Sequence, residues 1–393
     1  MLLSMNAERS VVPLIREDLL HKMVFLAGPR QVGKTTLAQS LIESDGPGSY
    51  FSYDNVRDRK LVLDARWPAP PALIVLDEFH KYRFWKRWLK GEYDVHKKDY
   101  RFLVTGSARM DVYRRGGDSL QGRYHHIRLH PFSMKELAGG APSATPYEPL
   151  PIGEIGAQDT LEALLQRGGF PEPLFAATDR HQRRWQKERN ERFFREDVRD
   201  LESIRDLSSL QLLSELLPER VGSPLSVNSL REVLQVSHRA VSHWLDVFER
   251  LYFSFRIAPY TGKLERALHK ETKLYLWDWS LIADAGARFE NLIASHLLKL
   301  CHYLEDAHGF DARLCYIRDK EKREVDFVVT VKRKPWFAVE AKLSETTPSP
   351  ALTYFTQRLQ VPFAFQVVKQ PGVDFVKGQV RVLSVARFLN AIA

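Results

Sequence analysis

Gly28-Pro29-Arg30-Gln31-Val32-Gly33-Lys34-Thr35, followed at once by Thr36, decides how the first third of the chain folds. It matches G-x-x-x-x-G-K-[ST] in full, directly after the apolar run MVFLA (23–27) and directly before the helical pattern TLAQSLIE (36–43). A strand, a glycine-containing turn and a helix start are the context this pattern needs. The glycines let backbone N–H groups curl around phosphate oxygens, and the helix adds the positive end of its dipole. Residues 28–36 are therefore the expected nucleotide-binding segment, with Mg-ATP as the expected ligand. Lys34 is expected to reach the β- and γ-phosphates, and the Thr35 hydroxyl to help hold Mg²⁺.

Working outward, ALIVLDE (72–78) and YRFLVTGSA (100–108) are short, continuous and apolar, and so read as further buried parallel strands. An α/β plan follows, with helices on both faces of a parallel sheet. The 72–78 strand ends in Asp77 and Glu78. Asp77 is expected to hold Mg²⁺ and Glu78 to polarise the attacking water. At the tip of the neighbouring strand, Thr105 or Ser107 is placed to sense the γ-phosphate. Transition-state charge calls for a cation, and Arg123 and Arg109 are the candidates, acting on this chain's nucleotide or on a neighbouring subunit's.

The bulk numbers set limits. At 393 residues the chain is long enough for two or three domains. Its 44% hydrophobic and 11% aromatic content is that of a folded protein, and the net charge of +9 suits one that meets phosphates. Cys301 and Cys315 form neither a metal-ligand pattern nor a disulfide framework. The N-terminus lacks the sustained apolar run of a signal peptide, and no stretch approaches the ~18 apolar residues of a membrane span. A cytoplasmic protein without a membrane partner is the expectation.

Periodicity breaks at GGAPSATPYEPLPIG (139–153). Beyond it lie charged helical patterns to about 207, read as a solvated helix, although a DNA channel would suit the same charges. Residues 227–234, the turn Gln235-Val-Ser237 and the run from His238 onward then carry a helix-turn-helix pattern. Leu230, Val233, Leu234, Val241, Leu245 and Phe248 have helical spacing and are the expected small core. Ser237, His238, Arg239, Ser242 and His243 would lie exposed near the start of the second helix, where major-groove readers place polar side chains. Phe253, Phe255 and Ile257 would form the wing of a winged helix. Docking of a protein partner is the alternative use of such a domain.

Two more apolar strands, REVDFVVTV (323–331) and PWFAVEAK (335–342), are joined by a basic turn. In an antiparallel hairpin Asp326 lies near Glu340 and Lys342, and the period of two puts the last pair on one face. Two carboxylates and an ammonium can organise metal-assisted phosphodiester cleavage. The pattern resembles the PD-(D/E)xK nuclease superfamily. That resemblance adds Glu290, on a preceding helix, as a further acidic residue. Binding a duplex without cutting it, or oligomerising, remains open for this fold.

The phosphate loop, LDEFHK, TGSA, the Gly122-Arg123 pair before a β-run, and Gly168-Gly-Phe-Pro-Glu172 occur in this order. Together they resemble a large family of prokaryotic AAA-type ATPases whose core is fused to a C-terminal domain of unknown function. The resemblance implies an ASCE-type P-loop core with a helical lid, and a homo-oligomer such as a ring. The expected layout is an ATPase core at 1–140, a lid and linker at 141–205, a winged-helix domain at 206–265, and a small α/β nuclease-like domain at 266–393. The leading expectation for function is an ATP hydrolase acting on DNA. The alternatives are a nucleotide-dependent switch that docks a protein, and a DNA nuclease licensed by ATP.

Overall fold

The computed structural model describes residues 7–106, 120–153, 157–176, 178–199, 206–261 and 271–392. The chain divides into two compact units, one formed by Glu8–His130 with Arg250–Tyr252, the other by Pro131–Glu249 and Phe253–Ala393 together with the first seven residues.

The first unit is a parallel sheet with helices between its strands. Its elements are α1 (Val12–Asp18), β1 (Met23–Ala27), α2 (Lys34–Asp45), β2 (Gly48–Ser52), α3 (Val56–Leu63), β3 (Ala72–Asp77), α4 (Trp85–His96), β4 (Tyr100–Gly106) and β5 (Tyr124–Arg128). The strand order is β2-β3-β4-β1-β5, every pair parallel. β1 and β3 are buried at every position, as continuous apolar runs covered on both faces should be. Phe25, Ile74, Leu76, Trp85, Leu89, Phe102 and Val104 form the core beneath one face. β4 lies between the strand that launches the phosphate loop and the strand that ends in Asp77. Thr105 is in register with both Leu26 and Asp77.

The second unit begins at Pro131, ahead of the Gly/Pro-rich break where the sequence suggests a boundary. The reason is local. α5 (Met134–Leu137) is closed by a capping box between Ser133 and Glu136, and its segment is held by the long helix α12 (Ala285–His308). Lys299 Nζ bonds to Glu136 and to Ser133 Oγ at 3.0 Å, and His296 Nε2 accepts from the Met134 N–H at 3.0 Å. Burial pushes the His296 imidazole down to about 4, so it stays neutral and can accept there.

Between these lie α6 (Gln158–Arg167), α7 (Pro171–Phe175), α8 (Asp179–Arg192), a π turn over Phe193–Val198, α9 (Leu207–Leu216), α10 (Val227–Leu234) and α11 (His238–Arg250). The helices expected as a lid, α6 to α8, thus belong to this unit. Trp279 Nε1 donates to Leu164 O at 2.6 Å, and Arg189 pairs with Asp278 at 3.0 Å. The remaining elements are β6 (Ser254–Pro259), β7 (Lys273–Leu276), β8 (Ala312–Arg318), β9 (Glu324–Val331), β10 (Lys334–Lys342), α13 (Pro350–Arg358), β11 (Phe363–Val368), β12 (Asp374–Lys377), β13 (Val380–Ser384) and α14 (Val385–Ile392). They build one sheet, ordered β12-β13-β11-β10-β9-β8-β6-β7. β6 pairs antiparallel with β7 and parallel with β8, so the hairpin that follows α11 is continuous with the C-terminal sheet.

Among the described residues no helix is long and apolar enough to cross a membrane.

Candidate functional site

The phosphate loop is built by backbone shape. Gly28 has φ +153°, and a Cβ there would meet the Leu129 carbonyl oxygen at 2.5 Å. Gly33, the residue that caps α2, has φ +100°. Arg9, buried and unmarked by any sequence motif, donates one Nη2 to Val32 O at 2.8 Å and to His130 O at 2.7 Å. It thereby pins the loop from behind.

Lys34 is buried, and its Nζ donates to Gly28 O and Pro29 O, both at 2.8 Å. Thr35 and Thr36 lie exposed in the first turn of α2; in the loop before it, Arg30 and Gln31 are half-buried and Val32 is buried. Asp77 is buried at the end of β3. One of its oxygens accepts from the Thr105 hydroxyl and the other from Tyr50 OH on β2. Thr35 lies beside Tyr50, so Thr35, Tyr50, Asp77 and Thr105 are gathered in one place. Burial, with Asp77 beside it, raises Tyr50 above its ordinary value and keeps it a hydroxyl donor.

Glu78 follows in the left-handed region at φ +55°, its N–H on Thr105 O at 3.1 Å. Burial raises its carboxyl above the usual range, against the pull of Lys34, with Asp77 raising it further and Lys81 and Arg30 lowering it. Its Oε2 is buried without a hydrogen bond, 3.6 Å from His80 Nε2 and 3.7 Å from Lys81 Nζ.

This donor set fits a magnesium ion bound with a nucleotide. Mg²⁺ takes one or two protein oxygens and otherwise water and phosphate, and Thr35 with Asp77 offers a hydroxyl and a carboxylate held in place by two hydroxyl donors.

The other members of the expected set fall elsewhere. Ser107 and Arg109 lie outside the described residues. Arg123 precedes β5, in register with the start of β1, whereas the loop follows the end of β1. With five residues per strand at ~3.3 Å each, it stands about 16 Å along the sheet from the loop. It is bound there to Asp94, Nε to Oδ1 at 2.7 Å. The structure does not bring Arg123 to the phosphate loop of its own chain.

In the second unit the expected carboxylates do converge, around a lysine that sequence reasoning missed. Lys273 is 1% exposed, with Nζ 2.7 Å from Glu324 Oε1, 3.5 Å from Glu290 Oε1 and 3.6 Å from Asp326 Oδ1. Tyr275 OH donates to Glu290 at 2.7 Å, and the Ala341 N–H donates to Asp326 at 2.9 Å. Lys342 Nζ sits 2.8 Å from Glu340 Oε1, while Glu340 Oε2 is buried without a hydrogen bond. Burial pushes Glu290 up to about 8 and Glu340 up to about 7, each raised further by Asp326. Lys273 and Tyr275 stand two apart in KLYL and so share one face of β7, which is the signal that could have found them.

A divalent ion does not fit this cluster as it stands. Lys273 already supplies the cation among its carboxylates, and among the described residues no group of three or more His, Cys, Asp or Glu side chains is placed to hold one metal.

Ser237, just before α11, and His238, Arg239 and His243 on it are exposed, and Ser242 is half-buried with its Oγ 3.4 Å from His238 Nδ1. Ser237 Oγ accepts from the Ala240 N–H at 3.1 Å. Leu230, Leu234, Val241, Leu245 and Phe248 are buried as expected, but Val233 is 53% exposed. The buried stripe of α10 runs through 230 and 234, one turn apart, and leaves 233 on its flank. Of the residues assigned to the wing, Phe255 and Ile257 are buried in β6, Phe255 stacked on Tyr275 at 5.5 Å, while Phe253 precedes the strand.

Residues 20–138 match a family model described as an AAA domain. Two domains of unknown function, DUF8612 and DUF4143, match residues 158–291 and 285–388. An uncharacterized protein of Mycobacterium tuberculosis and one of Mycobacterium bovis are each 22% identical over 372 residues, 90% of this chain and 78% of theirs. Among solved structures, a Walker-type ATPase of Pyrococcus abyssi aligns with 14% identity and a TM-score of 0.42, over 70% of this chain and 94% of that one. The ORC1 protein of Aeropyrum pernix in complex with DNA aligns with 14% identity and a TM-score of 0.32, over 72% and 91%. The chain thus carries an AAA-type ATPase domain in its first unit.

Proposed function

We propose that this chain hydrolyses ATP in its first unit and uses the turnover to act on DNA through its second. The observation that carries the ATPase reading is the meeting of Thr35, Tyr50, Asp77 and Thr105 beside Lys34 and the buried Glu78. The loop N–H groups and the start of α2 bind the phosphates, and Lys34 leaves the carbonyls of Gly28 and Pro29 for the β/γ oxygens. Glu78 orients a water and takes its proton as the water oxygen attacks the γ-phosphorus. The bond from that phosphorus to the bridging oxygen breaks, and ADP leaves. A carboxyl raised above its ordinary value is a stronger base for this step than an ordinary one. Thr35 and Asp77 would hold Mg²⁺, which would supply positive charge to the phosphate oxygens. Thr105, bonded to Asp77 from the strand between, is the residue we assign to sensing the γ-phosphate. Arg123, turned away from its own loop, is assigned to a neighbouring subunit's nucleotide in a homo-oligomer.

For DNA, the support is a three-helix stretch, α9 to α11, followed by an antiparallel hairpin, which is the order of a winged helix. Exposed Ser237, His238, Arg239 and His243 stand near the start of its last helix. After it, helix α12 carrying Glu290 precedes the antiparallel pair β9 and β10 carrying Asp326, Glu340 and Lys342, which supports a nuclease-like fold. We read that sheet as binding DNA without cutting it, because the Lys273 ammonium already occupies the space among Glu290, Glu324 and Asp326 where a metal would have to sit. The convergence of Glu290, Asp326, Glu340 and Lys342 favours the second reading, an ATP-licensed nuclease.

The experiment is the ATPase rate with no DNA, single strand, duplex and a four-way junction, with Lys34→Ala and Glu78→Gln as controls. Stimulation by one DNA form is expected. A rate indifferent to every DNA yet abolished by Lys34→Ala would replace the DNA role with a nucleotide-dependent protein switch. Metal-dependent nicking lost in Asp326→Ala would establish the second reading.

A further inference from the structure

A cleft of about 380 Å³ opens in the second unit among α8, α9 and the segment after β7. One face of α8 makes its charged wall. Arg183, Gln186, Lys187 and Asn190 line the cleft at the three- and four-residue spacing that puts side chains on one side of a helix. Arg183 and Lys187 are exposed, and neither is held in an ion pair among the described residues. Arg189, by contrast, is committed to Asp278 at 3.0 Å and to the face of Phe170 at 3.9 Å.

Its lining is aromatic on one side. Phe193 and Phe253 line it with ring centroids 5.2 Å apart and tilted, and buried Phe248 packs behind Phe253 at 4.9 Å. Phe193 is the first residue of the π turn, a rare wide turn that recurs at functional sites. Ser214 and Glu215 of α9 add acceptors to the lining.

We propose that this cleft is a second nucleotide site, separate from the phosphate loop and using none of its residues. Phe253 and Phe193 offer faces to a base, Arg183 and Lys187 bind its phosphate, and Glu215 and Ser214 accept from amino or hydroxyl groups. Aromatic faces beside cations are what holds single nucleotides irrespective of sequence. The volume lies at the lower end of ~300–1,000 Å³, the usual range of small-molecule pockets. A free mononucleotide and one nucleotide of a single strand share this chemistry.

The test titrates the full chain carrying Lys34→Ala, so that the phosphate loop contributes least, with thymidine monophosphate and with labelled oligothymidylate. Arg183→Glu with Lys187→Glu is expected to weaken binding about tenfold or more, the worth of one charge-assisted hydrogen bond. Phe253→Leu, which keeps bulk but removes the ring, is expected to weaken it as well, with urea unfolding as the check on fold. Binding of the monophosphate that these changes weaken assigns the cleft to a soluble nucleotide. Binding of the oligonucleotide alone, weakened in the same way, assigns it to a strand. No binding of either ligand, or affinities that the charge reversal leaves unchanged, overturns the proposal. Because the phosphate loop is disabled throughout, that failure leaves the ATPase reading untouched.

Discussion

The Lys273 ammonium lies 2.7 Å from Glu324 Oε1 with only 1% of the lysine exposed. A charge so deep is stable only in the company it keeps, and here it answers Glu290 and Asp326 as well. Lys273→Met leaves those carboxylates without their cation. We expect the second unit to lose about 3–5 kcal/mol in urea unfolding, the usual cost of breaking a buried pair from one side. Replacing Lys342, which is less buried and paired chiefly with Glu340, is expected to cost less.

The same cluster makes stability depend on pH. Glu290 and Glu340 are raised in the fold, to about 8 and about 7, by burial and by Asp326. A carboxyl whose folded value exceeds its unfolded one favours folding below the unfolded value, and that gain is lost as pH rises through the folded value. The second unit should therefore become less stable between about pH 4.5 and pH 8. Thermal melts across that window should show the decline, and Glu290→Gln should flatten it.

In the first unit, Glu78→Gln keeps the shape of the side chain but removes its basicity. Turnover is expected to fall about 10²–10⁴-fold, the range of general-base catalysis, while ATP binding persists in a filter assay. Because burial raises Glu78, the acid limb of the native pH–rate profile should lie above the ordinary carboxylate range. Retention of full turnover in the Gln variant would remove Glu78 from this role.

Tyr50→Phe and Thr105→Val each take one hydroxyl donor from Asp77. A buried carboxylate deprived of a partner costs about 1–3 kcal/mol, so Thr105→Val should lower the melting temperature, and Thr105→Ser should restore it. Both Tyr50→Phe and Thr105→Val are expected to raise the Mg²⁺ concentration needed for half-maximal ATPase activity.

Arg239→Glu with His243→Glu puts negative charge on the exposed start of α11. Duplex binding at low salt should weaken and the salt dependence become shallower, while basal ATPase activity stays as it was. Unchanged binding would assign the helix to a protein partner.

The ATPase site was legible because its motif is local. Strand, loop and helix follow one another within about twenty residues, and each signal supports the next. Tyr50 escaped because β2, GSYFS, has no apolar run to mark it as a strand, and its role depends on lying beside β3. Arg9 escaped for a like reason, since it meets the loop 23 residues away only after folding. Asp326, Glu340 and Lys342 were found from strand alternation and Glu290 from the nuclease resemblance, whereas Lys273 reaches them through the pairing of β7 with β6 at the far side of the sheet. The helix-turn-helix pattern placed its buried stripe correctly at 230, 234, 241, 245 and 248. It erred at Val233, where an apolar residue stands on the flank of a helix only eight residues long.

Arg9 ties the phosphate loop to His130, and Gly28 lies hard against Leu129. Those two residues are the last of the first unit before the chain passes into the second at Pro131. The phosphate loop and the point where the polypeptide leaves the first unit are therefore one mechanical piece. A substitution at Arg9 or Leu129 would disturb the loop and the chain's exit from this unit together.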